Sequence, residues 1–395
     1  MAKVVFFHMN GIMPERGGIS RITANLTSLF RSKGIEVWFI GARKTQEYMY
    51  DNAQIFLPSP IFNSEQNYTY FSEFIKNHNI DTVINQGALS IESHRFMSEI
   101  KNRVNFVLIS CIHNSILTPI KNYAYQKEYY LKTQHLGCIF NLLKTPLAKK
   151  ILIKLYCRKY HVLYKTMYNV SDYIVGLSKG MENEFIEITG INSLTKYRTI
   201  PNFTKPDNNR IHNNKPEKKR DKTVLWVGSI DLPTKRIDYM LKVWSIVSQS
   251  HPDWQLKILG DGPHLEVAKR IAHDLHLSNY SFEGRVNPDS YYASAEILCV
   301  TSSHESFSLV LLEALQHGVI PIANNSFYTA SEILDGGKYG ILTAPFNISN
   351  FTSKLDLLIT NNSLREEFRE KATIALTRYS PEIIFAIWES IMTSE

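Results

Sequence analysis

The sequence predicts an α/β fold built from two units, each with a parallel β-sheet covered by helices on both faces. Short apolar runs alternate with amphipathic segments from the first residues onward. A polar stretch at 204–222 interrupts this alternation, and the same pattern then restarts. Continuous apolar strands separated by helices are typical of parallel sheets that are buried on both faces.

The first unit, 1–200, opens with a predicted strand at Lys3–His8 and a predicted helix at Ser20–Lys33. The helix is indicated by the apolar spacing along its length, and Gly34 is expected to end it. Further strands are predicted at Glu36–Ile40, Thr82–Asn85, Phe106–Ile112 and Tyr173–Gly176.

The second unit, 201–379, repeats the pattern, and a last amphipathic helix at 380–395 is expected to pack back on the first unit. Its predicted strands are Val224–Val227, Gln255–Leu259, Ile297–Thr301 and Val319–Ala323, and its helices are Arg236–Gln249, Leu265–Leu275 and Leu309–His317. Open parallel sheets bind ligands beyond the carboxyl ends of their strands. Two such sheets facing each other are expected to enclose a deep cleft, and the conspicuous motifs do follow strands.

The composition is that of a globular chain with affinity for anions. Of the 395 residues, 44% are hydrophobic and 21% are charged, which is normal for a globular protein. The aromatic content of 12% excludes a wholly disordered protein. The net charge is +7, so nucleic acid, anionic lipid and phosphorylated small molecules are all candidate partners. Four scattered cysteines without CxxC spacing favour reduced thiols in a cytoplasmic protein. No run of 18 apolar residues occurs, so no membrane-spanning helix is predicted, and the N-terminus is interpreted as a strand.

Two motifs could bind a phosphate group. Gly17 and Gly18 lie between the first strand and the first helix, where backbone N–H groups can approach an anion. A plain turn explains these glycines equally well. Lys235 follows a Gly turn after the strand Val224–Val227 and precedes a helix, where it could neutralise a diphosphate. Taken alone, it is more often a solvated surface lysine.

Glu305 and Glu313 form the third motif, in the segment SHESFSLVLLEAL after the strand Ile297–Thr301. We expect Glu305 in the loop before a helix and Glu313 inside that helix. The two carboxylates could then hold hydroxyls at separate points of an extended ligand, and amide groups between them are available at the helix start. The alternative is a charge that complements the helix dipole, together with a surface glutamate.

The order of these motifs along the chain resembles the retaining glycosyltransferase family 4, which has an E-x7-E signature and a GT-B fold. The resemblance covers the whole chain: GG, IPNF at Ile200–Phe203, VGSI and KRID, ILGDGP at Ile258–Pro263, FEGRV at Phe282–Val286, SHESFSLVLLEAL and HGVIPIA at His317–Ala323. It implies the GT-B fold of two facing Rossmann-like domains with a deep interdomain cleft.

The resemblance also implies roles for individual residues. Lys235 neutralises the donor diphosphate, Gly18 donates backbone bonds to it, Glu313 holds the ribose and Glu305 holds the donor hexose. The backbone at Arg285 and Val286 holds the base. His113 matches a histidine near the reacting end of the donor sugar, although a buried structural histidine explains it as well. The implied catalytic residues are His113, Lys235 and Glu305, and the full donor-binding set is Gly17, Gly18, Gly228, Ser229, Lys235, Arg236, Gly260, Arg285, Val286, Glu305, Ser306, Phe307, Ser308, Leu309 and Glu313.

Two positions depart from the family pattern. Ser229 stands where the family commonly has Arg, so one positive charge must come from elsewhere, and Arg16, Arg21 and Arg236 are the candidates. Ser306 stands where the family favours Gly, which narrows the backbone freedom of the loop. Both substitutions mark a divergent member of the family.

The chemistry implied is cleavage of the donor C–O bond with retention of configuration. Positive charge from Lys235 and helix N-termini would stabilise the leaving diphosphate. The chain shows no DxD motif, and neither a metal nor a cofactor is expected. No general base is assigned.

A basic segment suggests where the acceptor lies. Between Lys121 and Lys165 there are ten Lys or Arg and one acid, Glu128, with interleaved tyrosines and aliphatic residues. Such a stretch can lie on an anionic membrane surface, here through 121–168. A solvated basic face is the alternative, and nucleic acid is disfavoured because the surrounding loops suit a sugar nucleotide. The expected location is cytoplasmic, peripheral on the inner face of the membrane.

The sequence therefore predicts a hexosyltransferase that moves a sugar from a nucleotide-sugar donor, UDP being favoured by the family. The expected acceptor is a glycan or a lipid-linked glycan in cell-surface polysaccharide or lipopolysaccharide synthesis. Two alternatives stay open, because a fold does not fix a function. One is another enzyme of the same architecture, such as a sugar-nucleotide epimerase or a phosphorylase. The other is a catalytically weak nucleotide-sugar-binding protein.

Overall fold

A computed structural model describes residues 2–13, 18–44, 54–204 and 220–392. In residues 2–204 the strands are β1 Lys3–Asn10, β2 Glu36–Arg43, β3 Gln54–Phe56, β4 Thr82–Asn85, β5 Val107–Cys111, β6 Tyr173–Gly176 and β7 Tyr197–Thr199. The helices there are α1 Gly18–Ser32, α2 Glu65–His78, α3 Ile91–Lys101, α4 Thr118–Lys121, α5 Tyr123–Thr133, α6 Gly137–Leu143, α7 Pro146–Val170 and α8 Lys179–Thr189.

In residues 220–392 the same alternation of strand and helix returns. The strands are β8 Thr223–Val227, β9 Gln255–Leu259, β10 Tyr280–Gly284, β11 Ile297–Val300, β12 Ile320–Asn324 and β13 Ile341–Thr343. The helices are α9 Leu232–Lys235, α10 Ile237–Ser250, α11 Leu265–Asp274, α12 Asp289–Ser294, α13 Leu309–Gln316, α14 Tyr328–Ile333, α15 Ile348–Thr360, α16 Asn362–Thr377 and α17 Pro381–Met392, with a short 3-10 helix at Asp335–Gly337. The predicted polar connection at 204–222 lies mostly outside the described residues.

The chain forms two compact units. The first contains residues 1–114, 156–205 and 381–395, and the second contains residues 115–155 and 206–380. The boundaries predicted from sequence, 1–200 and 201–379, differ mainly in the segment 115–155, which groups with the second unit. The C-terminal helix groups with the first unit.

The first unit is a parallel sheet in the order β3-β2-β1-β4-β5-β6-β7. Phe7 on β1 stacks at 5.8 Å on Phe96 of α3, inside a cluster of aromatic rings on one face of the sheet. On the other face, Phe30 of α1 meets Phe385 and Trp388 of α17 edge-on at 6.1 and 5.9 Å. Helix α17 therefore belongs to the core of this unit, because its aromatic side chains fill the space beside α1.

The second unit is a parallel sheet in the order β10-β9-β8-β11-β12-β13. Trp244 of α10 is fully buried against this sheet, and its Nε1 donates to the Ser278 carbonyl at 3.1 Å. In both sheets the chain first adds strands on one side of the opening strand and then continues on its other side. The resulting switch points lie between β1 and β4 and between β8 and β11, which are the positions where open α/β sheets bind ligands.

Candidate functional site

The switch point of the second unit collects the predicted phosphate-binding and carboxylate motifs. Strands β8 and β11 are hydrogen-bonded neighbours, with Val224 opposite Ile297. The loop after β8 leads to Lys235 at the end of α9, and the loop after β11 leads to Glu305. Because parallel strands end at the same edge of a sheet, these two loops meet there.

Lys235 and Glu305 form an ion pair at this edge. Lys235 Nζ lies 2.9 Å from Glu305 Oε1, and the two side chains are 25% and 8% exposed. The same carboxylate oxygen accepts a hydrogen bond of 2.6 Å from Ser302 Oγ. The carboxylate is therefore oriented from two sides, while the ammonium group stays partly open to solvent.

Residues directly after β11 fix the backbone of the Lys235 turn. Thr301 Oγ1 donates to the Lys235 carbonyl at 2.9 Å and accepts from Trp226 Nε1 at 3.0 Å. Ser303 Oγ donates to the Pro233 carbonyl at 2.8 Å. Thr301, Ser302 and Ser303 were not among the predicted site residues, although three consecutive hydroxyl residues at the end of a strand are a signal in the sequence.

His304, between Ser303 and Glu305, is held neutral by its surroundings. Burial lowers its pKa below the ordinary value, and the nearby carboxylate of Glu305 opposes this without reversing it. Its Nδ1 lies 3.0 Å from Ser303 Oγ. The positive charge next to Glu305 therefore comes from Lys235.

Arg236 differs from the role predicted for it. Its side chain is 2% exposed, and its guanidinium contacts Asp238 at 3.0 Å, Glu128 at 2.9 Å and the Tyr125 carbonyl at 2.8 Å. Burial disfavours the charged form, but the two carboxylates more than compensate and raise the pKa of Arg236. A buried guanidinium with three protein partners is committed to the fold, so we do not assign it to a ligand. The sequence could not show this, since Glu128 is 108 residues away.

The start of α13 carries the rest of the E-x7-E motif. Ser306, Phe307 and Ser308 precede the helix, which begins at Leu309. In the described part of the chain the backbone amides of these three residues donate to no protein acceptor. Glu313 lies inside the helix and accepts a 3.2 Å hydrogen bond from Tyr292 Oη. The predicted placement of Glu305 before the helix and Glu313 within it is confirmed.

Gly228 and Gly260 pack their backbones against each other at the ends of β8 and β9. A Cβ atom built on Gly260 lies 1.8 Å from the Gly228 carbonyl oxygen, and the φ angle of Gly260 is +148°. Gly228 N donates to the Leu259 carbonyl at 3.0 Å. Gly260 is thus required by close backbone approach, whereas a Cβ atom on Gly228 would meet only the Lys235 side chain, at an ordinary contact distance of 3.7 Å. Ser229 is exposed beside them.

We expect Gly260→Ala to lower the free energy of unfolding of the second unit by about 3 kcal/mol, because the new methyl group collides with backbone and the φ angle is unfavourable for L-residues. Urea unfolding followed by circular dichroism measures the change. Gly137→Ala is the matched control, since a Cβ there meets nothing within 4 Å. Equal stability of the two variants would show that the loop moves to accept the side chain.

Arg285 and Val286 follow β10 and are exposed. Strand β10 is the edge strand of the sheet and pairs with β9. The assignment of the nucleotide base to their backbone remains a prediction.

The segment 115–122, which belongs to the second unit, binds the Glu305 loop through hydrogen bonds. Ser115 Oγ donates to the Glu305 carbonyl at 2.7 Å, and Ser115 N donates to Ser306 Oγ at 3.0 Å. Asn122 Nδ2 donates to the Ser303 carbonyl at 2.6 Å. Ser306, predicted as a donor-binding residue and a departure from glycine, therefore also binds the backbone of Ser115.

In the first unit, His113 follows β5 and its Nε2 contacts Gln86 Oε1 at the end of β4. Burial lowers the pKa of His113 to about 4. Gly18 is the exposed first residue of α1, and Gly17 and Arg16 lie outside the described residues. The roles of His113, Gly17 and Gly18 stay predictions.

The first unit contains buried neutral histidines that make it sensitive to acid. Burial lowers the pKa of His94 to about 4, and its Nε2 lies 2.6 Å from the Ala88 carbonyl. Burial and the nearby His113 lower the pKa of His8 to about 3. An unfolded histidine titrates near about 6.5. Between that pH and about 4, the unfolded chain binds more protons, so stability is present above pH 6.5 and is lost as the pH falls.

We expect each of these histidines to contribute a slope of up to about 1.4 kcal/mol per pH unit to the free energy of unfolding. Between pH 6.5 and 4.5, His94→Gln should therefore reduce the dependence of the free energy of unfolding on pH by up to about 1.4 kcal/mol per pH unit, the value for one proton. This change in slope is expected whatever the effect of the substitution on stability at pH 7. Urea unfolding at several pH values measures it. His273→Gln, at an exposed side chain, is the control, and an unchanged slope in His94→Gln would contradict the prediction.

Two further observations concern metals and membranes. Within residues 2–13, 18–44, 54–204 and 220–392, no group of three or more His, Cys, Asp or Glu is arranged to hold a metal ion. In the same residues, no helix combines the length and apolarity needed to cross a bilayer.

Residues 207–374 match the family of glycosyl transferases group 1. Among curated relatives, an uncharacterized glycosyltransferase of Haemophilus influenzae is 34% identical over 187 residues, 47% of this chain and 53% of that protein. The amylovoran biosynthesis glycosyltransferase AmsD of Erwinia amylovora is 26% identical over 384 residues, 95% of this chain and 96% of its own. The chain spans about half the length, or less, of the first curated relatives it matches.

A solved structure of Anabaena HepE, in complex with UDP and glucose, has a TM-score of 0.71, with 14% identity and 99% of each chain covered. At that identity the likeness concerns the fold alone. Together with the two parallel sheets described above, it confirms the GT-B class of two Rossmann-like domains.

Proposed function

We propose that this protein, whose residues 207–374 match the family of glycosyl transferases group 1, transfers a hexose-type sugar from a nucleotide-sugar donor to a glycan or lipid-linked glycan of the cell surface. The observation that carries the proposal is the Lys235–Glu305 pair at the β8/β11 switch point. A lysine and a buried carboxylate side by side suit a ligand that carries both phosphate and sugar hydroxyl groups.

Each half of the pair has its own part in the proposed site. The ammonium of Lys235 is partly exposed and binds the donor diphosphate, where negative charge grows as the sugar–phosphate bond breaks. The carboxylate of Glu305, held by Ser302, accepts hydrogen bonds from hydroxyls of the hexose. The amides of Ser306, Phe307 and Ser308 supply further donors to phosphate oxygens at the start of α13.

Glu313 extends the site away from the diphosphate. It holds the ribose hydroxyls of the donor, with Tyr292 fixing one of its oxygens. The reaction proceeds with retention of configuration, and no metal takes part. UDP is the favoured nucleotide because HepE, of similar fold, was solved with UDP and glucose.

The acceptor class is supported by AmsD, a relative that aligns over nearly the whole chain and whose name places it in the synthesis of amylovoran. We propose an acceptor of the same chemical class for this protein, a growing surface polysaccharide or a lipopolysaccharide.

The test is a panel of UDP-, GDP- and ADP-sugars, added to the purified full chain and followed by thermal shift and by release of nucleoside diphosphate. We expect one donor to raise the melting temperature and to be hydrolysed slowly without acceptor, with hydrolysis lost in Glu305→Gln. Lys269→Ala, at an exposed lysine on α11 of the same unit, is the control. Binding without turnover would favour the nucleotide-sugar-binding protein, and no binding at millimolar donor would overturn the proposal.

A further inference from the structure

The segment 129–171 is strongly basic, and the proposed donor site does not account for this charge. It contains eight Lys or Arg and no Asp or Glu, whereas the net charge of the whole chain is +7. Helices α5, α6 and α7 cover most of it, and residues up to Leu155 belong to the second unit. Such a concentration of one sign of charge attracts an anionic partner.

The same helices expose large apolar side chains. Leu142 on α6 is 63% exposed, and Leu147, Ile151 and Leu155 on α7 are 69%, 50% and 59% exposed. We call these four residues, together with Lys150 and Lys154, the basic apolar surface. Exposed leucines grouped in this way are uncommon on a protein that meets only water.

The geometry of α7 sorts these side chains into one stripe. Leu147, Ile151 and Leu155 are four residues apart, so they lie within about 80° of one another around the helix. Lys150 and Lys154 border the stripe at about 60° and 20° on the side of Leu147. Their ammonium groups are exposed, and the long aliphatic stems allow them to reach past the stripe to headgroup level.

We propose that the basic apolar surface docks the protein on a phospholipid bilayer that carries anionic headgroups. The leucine and isoleucine side chains enter the boundary between headgroups and acyl chains, and the lysines bind the phosphate groups beside them. A second copy of this chain is a poor occupant, because a symmetric contact would bring two sets of lysines together.

The residues that lead into the segment 129–171 are bound to the donor loops within the second unit. Asn122, before α5, donates to the Ser303 carbonyl, and Ser115 donates to the Glu305 carbonyl. A bilayer bound by α6 and α7 therefore lies against the same unit that holds Lys235 and Glu305. This arrangement suits an acceptor that is itself carried by lipid.

The test is co-sedimentation of the full chain with vesicles of phosphatidylcholine alone or with 30% phosphatidylglycerol added (about that fraction gives a strongly negative surface). We expect partitioning onto the anionic vesicles only, weakened by high salt. Lys150→Gln with Lys154→Gln should lower the partition coefficient about 30-fold, since each lysine near the surface contributes about fivefold. Leu147→Ser with Leu155→Ser should lower it by at least about 10-fold.

Matched controls come from elsewhere in the second unit. Lys269→Gln with Arg270→Gln changes two exposed basic residues of α11, and Ile374→Ser changes an aliphatic side chain that is 60% exposed on α16. Neither should alter partitioning. No binding to anionic vesicles at low salt, or equal binding by the surface variants and the controls, would overturn the proposal.

Two other occupants give distinct results. If the surface joins two copies of the chain, sedimentation velocity shows a dimer that the leucine variant abolishes. If the surface binds nucleic acid, a labelled single-stranded RNA displaces the protein from vesicles. Either result overturns the bilayer proposal. Donor binding by the same variants, measured by thermal shift, is expected to be unchanged, so failure of docking and failure of the proposed function are distinguishable.

Discussion

We expect Lys235→Ala to lower kcat for donor cleavage by about 100-fold to 1,000-fold, the loss typical of removing one group that stabilises developing negative charge. The ammonium group lies at the β8/β11 switch point, 2.9 Å from Glu305, where the diphosphate is proposed to leave. Negative charge on the leaving group is larger in the transition state than in the bound donor, so kcat should fall more than KM rises. Steady-state release of nucleoside diphosphate measures both.

The ion pair adds a second effect to this variant. Removal of Lys235 leaves the carboxylate of Glu305, only 8% exposed, with Ser302 as its remaining side-chain partner among the described residues. Lys235→Arg keeps the charge and should retain more activity than Lys235→Ala, although its planar head does not match a point-charge site. Lys269→Ala is the control. If kcat were unchanged in Lys235→Ala, Lys235 would not be part of the donor site. The proposed sugar transfer would then lose the observation that supports it.

Arg236→Met should lower the free energy of unfolding of the second unit by about 3–5 kcal/mol, since breaking a buried ion network leaves an uncompensated charge. Asp238 is fully buried and contacts Arg236 at 3.0 Å. Glu128 is 16% exposed, and Arg236 and Lys132 hold its pKa below the ordinary value despite its burial. Without the guanidinium, the two carboxylates lose the cation that they share, and among the described residues Asp238 keeps only Lys242, at 3.8 Å.

Urea unfolding monitored by tryptophan fluorescence measures this loss. Arg236→Met with Asp238→Asn should be more stable than Arg236→Met alone, because the second change removes a buried carboxylate whose remaining cation, Lys242, lies 3.8 Å away. Arg270→Met, at an exposed position on α11, is the control. Equal stability of Arg236→Met and the control would mean that the network contributes nothing to the fold.

The central strands were predictable from sequence, and the edge strands were not. Thr82–Asn85, Tyr173–Gly176 and Gln255–Leu259 were predicted with the observed bounds. The missed strands are β3, β7, β10 and β13, and these are the outermost strands of the two sheets. An edge strand has one hydrogen-bonded neighbour and is covered less completely, so its residues need not form a continuous apolar run. β10, for example, has no fully buried residue.

The candidate site was also predictable only in part from the sequence. The strand-then-polar-loop pattern selected Lys235, Glu305 and Glu313 from local sequence, and the structure brings the first two into contact. It could not reveal that Arg236, adjacent to Lys235, is turned into the core toward Glu128. Neighbours in sequence face different environments once the backbone turns, and Arg236 lies in the left-handed region with φ of 55°.

By itself, the sequence determined the alternation of strands and helices, the two-unit organisation and the residues that follow each strand, because apolar periodicity and turn chemistry act over a few residues. Only the tertiary structure decided which strand ends meet. Strands β8 and β11 are separated by β9 and β10 along the chain but are adjacent in the sheet. That adjacency brings Lys235 to Glu305 across 70 positions, since strand order depends on packing of the whole sheet and not on any local pattern.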